Sequence, residues 1–168
     1  LQGDTMIADE NLKLYSGAMP ANNTATNVVD GDVIRNLGVG TPLYVRVVYN
    51  TAVRANVDNS GLTFYVVYAD DSALTLNPRY MSVTNVFFGT TTGPSAGDVL
   101  YIPIPPVVNY AQGGQRFESG TAAFNAKKYI GVLISGYTWA TATGNITIDI
   151  VTDVNRVENI YAGGFAVT

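Results

Sequence analysis

Residues 145–151 read NITIDIV, and the alternation in that stretch is strict. Ile146, Ile148 and Ile150 fall on one side of an extended chain, with Thr147, Asp149 and Val151 on the other. Successive side chains of a strand point to opposite faces, so this spacing lays an isoleucine stripe against a core. The same period of two recurs outward from it. In 43–49 (LYVRVVY), Leu43, Val45, Val47 and Tyr49 share a face, with Arg46 opposite them. In 62–68 (LTFYVVY), Leu62, Phe64, Val66 and Tyr68 alternate with Thr63, Tyr65 and Val67. Further β-rich runs occupy 80–88, 99–104 and 129–137, and 26–29 is a shorter candidate, which makes seven or eight strands in all.

The breaks between these runs carry turn chemistry. Asp58-Asn59-Ser60-Gly61, Asn77-Pro78, Thr92-Gly93-Pro94-Ser95, Gly113-Gly114 and Thr143-Gly144-Asn145 supply residues that accept positive φ or fix it near −65°. Pro103, Pro105 and Pro106 cannot donate ladder hydrogen bonds, which places 99–104 at a sheet edge. Convincing helical periodicity over ten residues is absent; 122–128 (AAFNAKK) has room for one short turn. Many short strands with Gly, Pro and Asn turns, joined by connections of unequal length, predict an all-β fold. The expectation is an antiparallel β-sandwich or jelly roll of about eight strands with extended N- and C-terminal arms. The expected division is an N-terminal arm over 1–21, a jelly-roll domain over 22–152, and an arm or edge strand over 153–168. That last stretch, TDVNRVENIYAGGFAVT from Thr152, is too apolar for a solvated tail. It either docks on a neighbouring subunit or packs as a further strand of its own domain, and 1–21 poses the same choice.

A chain of 168 residues suits one domain and buries enough surface to fold without staples. Cys and His are both absent, which excludes disulfides, thiolate and imidazole metal sites, cysteine nucleophiles and every Ser-His-Asp triad. The net charge is −4 and the longest basic cluster is Lys127-Lys128, so a nucleic-acid partner is not expected. No run of about 18 apolar residues is present to cross a membrane. The opening LQGDTMIADENL carries acids and no long apolar run, and does not read as a signal peptide. Charged residues make up only 13% of the chain, against roughly 25% in ordinary soluble domains, which suits a protein covered by neighbours or docked on a large assembly.

Candidate chemistries are few. Asp70-Asp71, Asp30 with Asp32, and Asp9-Glu10 are the tight acidic groupings; in Asp70-Asp71-Ser72 the turn position favours carboxylates bonding their own backbone over a calcium site. Asp149 with Glu118 would supply the carboxylate pair of a glycosidase, but nothing in the sequence brings them together, and a solvated Asp on a strand face is the expectation. Gly38-Val39-Gly40 lacks the third glycine and the helix of a dinucleotide site. Trp139 with the tyrosines would make a stacking platform for sugars, the reading of a lectin-like or receptor-binding sandwich. Asn22-Asn23-Thr24 and Asn145-Ile146-Thr147 match the glycosylation acceptor. No enzyme activity, cofactor or metal is expected.

The stretches MIADENLKLYSG (6–17), TATNVVDGDVIRNLGVGTPLYVRVVYNTAV (24–53) and LTFYVVYADDSA (62–73) together resemble the jelly-roll capsid cement (decoration) proteins of tailed bacteriophages. The matches are Thr26 to Asp30, Leu37 to Pro42, Leu43 to Val47 and Asp70 to Ala73, with GVG-x-P-LYV the most specific part. GDVLYIPIPP resembles the family's strand leading to a proline pair, and KKYIGVLISGYTWATATGNITIDIVTDV its closing pair of strands. The resemblance spans about 6–153, with two departures: the glycine after the first acidic stretch is displaced into Asp30-Gly31-Asp32, and the tail is longer. It implies a non-enzymatic virion protein on the outer capsid surface, a homotrimer that bridges subunits of the major capsid protein. The contacts to other chains are expected from the two terminal segments, through Met6, Leu12, Leu14, Tyr15, Ile160, Tyr161, Phe165 and Val167.

Overall fold

A computed structural model describes residues 12–20, 24–30, 43–104, 129–136 and 142–151. Among them the chain forms β1 (Lys13–Ala18), β2 (Thr24–Ala25), β3 (Val29–Asp30), β4 (Leu43–Tyr49), β5 (Arg54–Ala55) and β6 (Ser60–Ala69). After these come β7 (Arg79–Phe88), β8 (Val99–Ile104), β9 (Tyr129–Gly136), β10 (Ala142–Thr143) and β11 (Asn145–Val151). The described residues contain no α-helix. One sheet has the order β1-β11-β4-β8; the other runs β2-β9-β6-β7, with β3 also on β9; β5 and β10 make a two-stranded ribbon. Every pairing is antiparallel.

The pairings nest. β6 pairs β7, β4 pairs β8, β2 and β3 pair β9, and β1 pairs β11, so the chain is one long hairpin folded about the 70–78 turn. Rolling that ribbon up adds β11 on β4 and β9 on β6 and divides it into two facing sheets. This is jelly-roll connectivity, as the strand pattern predicts. β8 is an edge strand, as its Pro103 requires: only its outer side lacks a ladder to receive an N–H.

The core follows the sequence periods. Val45, Val47 and Tyr49 of β4, Leu62, Phe64, Val66 and Tyr68 of β6, Ile130, Val132 and Ile134 of β9, and the β11 isoleucines are all buried between the sheets. Each such Val, Leu, Ile or Phe contributes about 1.5–3 kcal/mol of transfer free energy, so this stripe is the main driving force for folding.

β1 corrects two expectations. Leu12 and Leu14 are buried in this chain's own core, Leu14 completely, so neither side chain is available to touch another chain. Tyr15 is half-buried against the same core, and its hydroxyl donates to the Ala18 carbonyl at 2.5 Å. Residues 13–18 thus form a strand of the sandwich, paired to β11, rather than part of an arm. The amphipathic pattern of KLYSGA is only six residues long and broken by a register shift between Lys13 and Tyr15, which hides its period. Met6, Ile160, Tyr161, Phe165 and Val167 lie outside the described residues, as do Trp139 and Glu118.

Asp149 is a further correction. It is buried rather than solvated, and it faces Arg46 directly across the β4–β11 ladder on the outer side of the first sheet. Arg46 Nε donates to Asp149 Oδ1 at 2.9 Å and Nη2 donates to Oδ2, a bidentate pair. That hydrogen bond, against the cost of burial, raises the guanidinium's pKa above its usual value. Side-chain exposures of 17% and 7% mean that neither charge has water enough to replace the other. Asp149→Ala should therefore lower the unfolding free energy by about 3 kcal/mol, measured by urea titration, while the double variant Arg46→Met with Asp149→Leu should recover most of it.

The Tyr49 hydroxyl is buried with no hydrogen-bond partner among the described residues. Burial, and secondly the Asp98 charge, push its ionisation well above the ordinary tyrosine range. A buried hydroxyl without a partner costs more than it returns. Tyr49→Phe should raise the unfolding free energy by about 1 kcal/mol, read in the same titration.

Candidate interaction surface

β6 is buried on both faces. Its inward set belongs to the core; outward, Val67 and Ala69 are covered by a second apolar cluster. Leu74 of the 70–78 turn is the lid of that cluster, and Ala25, Val28, Tyr65 and Leu133 pack around it. The neighbouring edge strand β7 is paired so that Tyr80 lies opposite Val67, Val83 opposite Tyr65, Asn85 opposite Thr63 and Phe87 opposite Gly61. These four β7 residues share the outer face.

The apolar exposure is concentrated there. Tyr80 is 55% exposed, Val83 55% and Phe87 63%, a stripe of roughly 20 Å along the strand. Leu76 in the turn, Val57 just before β6 and Val99 are the other exposed large apolar side chains among the described residues. Arg79, at the strand's start, is the only charged residue of β7. The Tyr65 and Tyr80 rings meet edge to face at 5.5 Å, and Thr63 Oγ1 donates to Asn85 Oδ1 at 2.7 Å, so the stripe is seated on the sheet. A bulge at Met81, where Val66 faces Ser82 and Val67 faces Tyr80, adds local twist.

Carboxylates fasten both ends of the β6–β7 hairpin. At the open end Asp58 Oδ1 accepts from the Thr90 backbone N–H at 2.8 Å and from its hydroxyl at 2.9 Å. At the turn Asp71 Oδ1 accepts from the Thr75 and Leu76 N–H groups, each at 2.8 Å, and Oδ2 accepts from the Thr75 hydroxyl at 2.7 Å. Asn77 Nδ2 donates to Asp70 Oδ2 at 3.0 Å. Asp70-Asp71 thus does turn chemistry. No group of three acidic side chains that could hold a metal ion occurs among the described residues.

Leu74 and Asn77 both have positive φ, +60° and +47°. For a leucine this left-handed conformation costs roughly 1–2 kcal/mol, close to what burying its side chain returns, so the Asp71 hydrogen bonds tip the balance toward the folded turn. Gly131, facing Val67 on β9, makes the space: a Cβ there would stand 2.9 Å from Leu74 Cδ1 and 3.0 Å from Val28 Cγ1.

Of the contact residues expected from sequence, the structure brings Leu12, Leu14 and Tyr15 to the first sheet, away from this stripe. Tyr80, Val83 and Phe87 were not among the expected contacts. Their signal is in the sequence, since YMSVTNVFF is apolar at both parities and an exposed edge strand needs only one apolar face. No protein-family model matches the chain, and no curated protein matches it either.

Backbone hydrogen bonds from Leu76 foremost hold the Asp71 carboxyl below its usual pKa, and those from Thr90 do the same for Asp58. A depressed carboxylate pKa contributes stability that is fully present above the unfolded-chain value of about 3.9 and is lost as pH falls through the folded-state value. Thermal unfolding should therefore be level down to about pH 5 and fall below about pH 4, and the Asp58→Asn, Asp71→Asn double variant should show a shallower acid slope.

Proposed function

We propose that this chain is a structural capsid cement protein, which binds the outer surface of a bacteriophage shell and bridges subunits of the major capsid protein. The exposed uncharged stripe of Tyr80, Val83 and Phe87 on a jelly-roll edge carries the reading, because contiguous apolar surface of this kind marks a protein-docking site. The resemblance of the GVG-x-P-LYV stretch to cement proteins supports it, as does a chain with only 13% charged residues. Self-association as a homotrimer belongs to the same reading.

The chemistry suits a shell. Many copies on one lattice raise effective concentration, so modest apolar contacts hold cooperatively. A protein that binds only the assembled shell stabilises that state by linkage, with no catalytic group required.

Cosedimentation with empty expanded shells tests the reading. Saturable binding at a symmetry-allowed number of copies is expected, with shells surviving higher temperature, and a Val83→Asp, Phe87→Asp variant should lose at least tenfold in affinity while keeping its thermal midpoint. A folded wild-type protein that leaves shells untouched refutes the reading. In that case a glycan array on wild type and Trp139→Ala is the next measurement.

A further inference from the structure

We propose that the 70–78 turn is a strap that opens on its own while the sandwich stays folded, with Leu74 as its clasp. Within the turn Leu74 is the one buried side chain; Ser72, Ala73, Thr75, Leu76 and Asn77 are exposed and Asp70, Asp71 and Pro78 half-buried. Among the contacts that hold the strap down are Leu74 in its slot, the three bonds accepted by the Asp71 carboxylate, Asn77 Nδ2 donating to Asp70 Oδ2, and within the backbone the Asp70 N–H on the Leu76 carbonyl at 3.1 Å and the Leu74 N–H on the Asp71 carbonyl at 3.3 Å. Opening gives up the burial of Leu74 and the cover it gives Val67 and Ala69, with a few solvent-facing hydrogen bonds, and it releases the left-handed backbone at Leu74 and Asn77. The sandwich core, by contrast, spans both sheets and does not include Leu74. A unit with few buried contacts and stored backbone strain opens far more often than the whole domain unfolds.

Opening changes the surface. Leu74 covers Val67 and Ala69, which lie beside Tyr65 and Leu133 on the outer face of the second sheet. Leu133, Tyr65 and Val83 occupy one cross-strand row, so the bared slot is continuous with the exposed stripe. With the strap down the apolar surface is an edge stripe; with it up, it reaches across β9, β6 and β7. The strap therefore hides part of the docking face in the free protein. That use of the bared face rests on the proposed function, whereas the opening itself does not.

Native-state hydrogen exchange by NMR on the full chain tests the opening. The Thr75 and Leu76 amides, both bonded to Asp71, report the strap, and the amides of β4 and β11 report the sandwich. In wild type the strap amides are expected to be at least about 100-fold less protected than those of β4 and β11. Gly131→Ala sets a Cβ against Leu74 and should lower strap protection by a further factor of about ten, with β4 and β11 unchanged. If Gly131→Ala does not fold, Leu74→Ala, which removes the clasp and leaves the Asp71 acceptor in place, takes its place with the same expectation. Strap amides as protected as the sandwich, or a folded variant with unchanged strap protection, overturns the proposal. Neither result depends on whether the protein binds a shell, so the opening and the cement function fail separately.

Discussion

Ile148 can lie against Val47 only where Asp149 lies against Arg46, and on that register the rest of the molecule depends. β4 and β11 are the two inner strands of the first sheet, and each also carries an edge strand, β8 and β1. A slip of β11 by one residue would turn its isoleucines to the outside and draw Asp149 into the core, away from Arg46; a slip of two would leave the isoleucines inward but part the ion pair. The apolar stripe selects the face and the bidentate pair selects the register within it. Because β4 is far from β11 in sequence, this one alignment also closes the rolled hairpin, bringing its outermost pair, β1 and β11, beside β4.

The parts of this arrangement that were legible in the sequence are those with one buried and one open face. NITIDIV and LYVRVVY have observed bounds of Asn145–Val151 and Leu43–Tyr49, the same as their periods mark out, because the period of two stops where the strand does. Pro103 placed β8 at an edge because a missing N–H is a covalent fact that tertiary context cannot repair. β1 went unread because six residues with a register shift give too few turns of the pattern. The ion pair went unread because the outer face of a strand looks solvated unless its cross-strand partner is known. Pairing Arg46 with Asp149 requires the β4–β11 register, which is long-range information.

β6 shows the same limit from the other side. Its Ser60–Ala69 sequence is apolar at both parities, and such a run says only that both faces are covered, not by what. The cover turns out to be local: Leu74, a few residues after the strand ends, folds back over Val67 and Ala69. For it to do so the turn needs a leucine at positive φ, an Asp three acceptances deep in its own backbone, and a glycine on β9 beneath it. The Asp was readable as turn chemistry. The glycine was not, since its purpose is the room it leaves for a residue far away in the chain.

An apolar edge strand such as β7 is a hazard for any free protein, because its open side is a template for another strand. Three features of β7 limit that hazard without removing the stripe. Met81 bulges and twists the strand, Arg79 sets a charge at its start, and Asn85 interrupts the outward apolar positions while being held by Thr63. What is left is a bulged edge that is still uncharged between Tyr80 and Phe87. The outer face of β7 therefore combines these precautions with three large apolar side chains open to solvent.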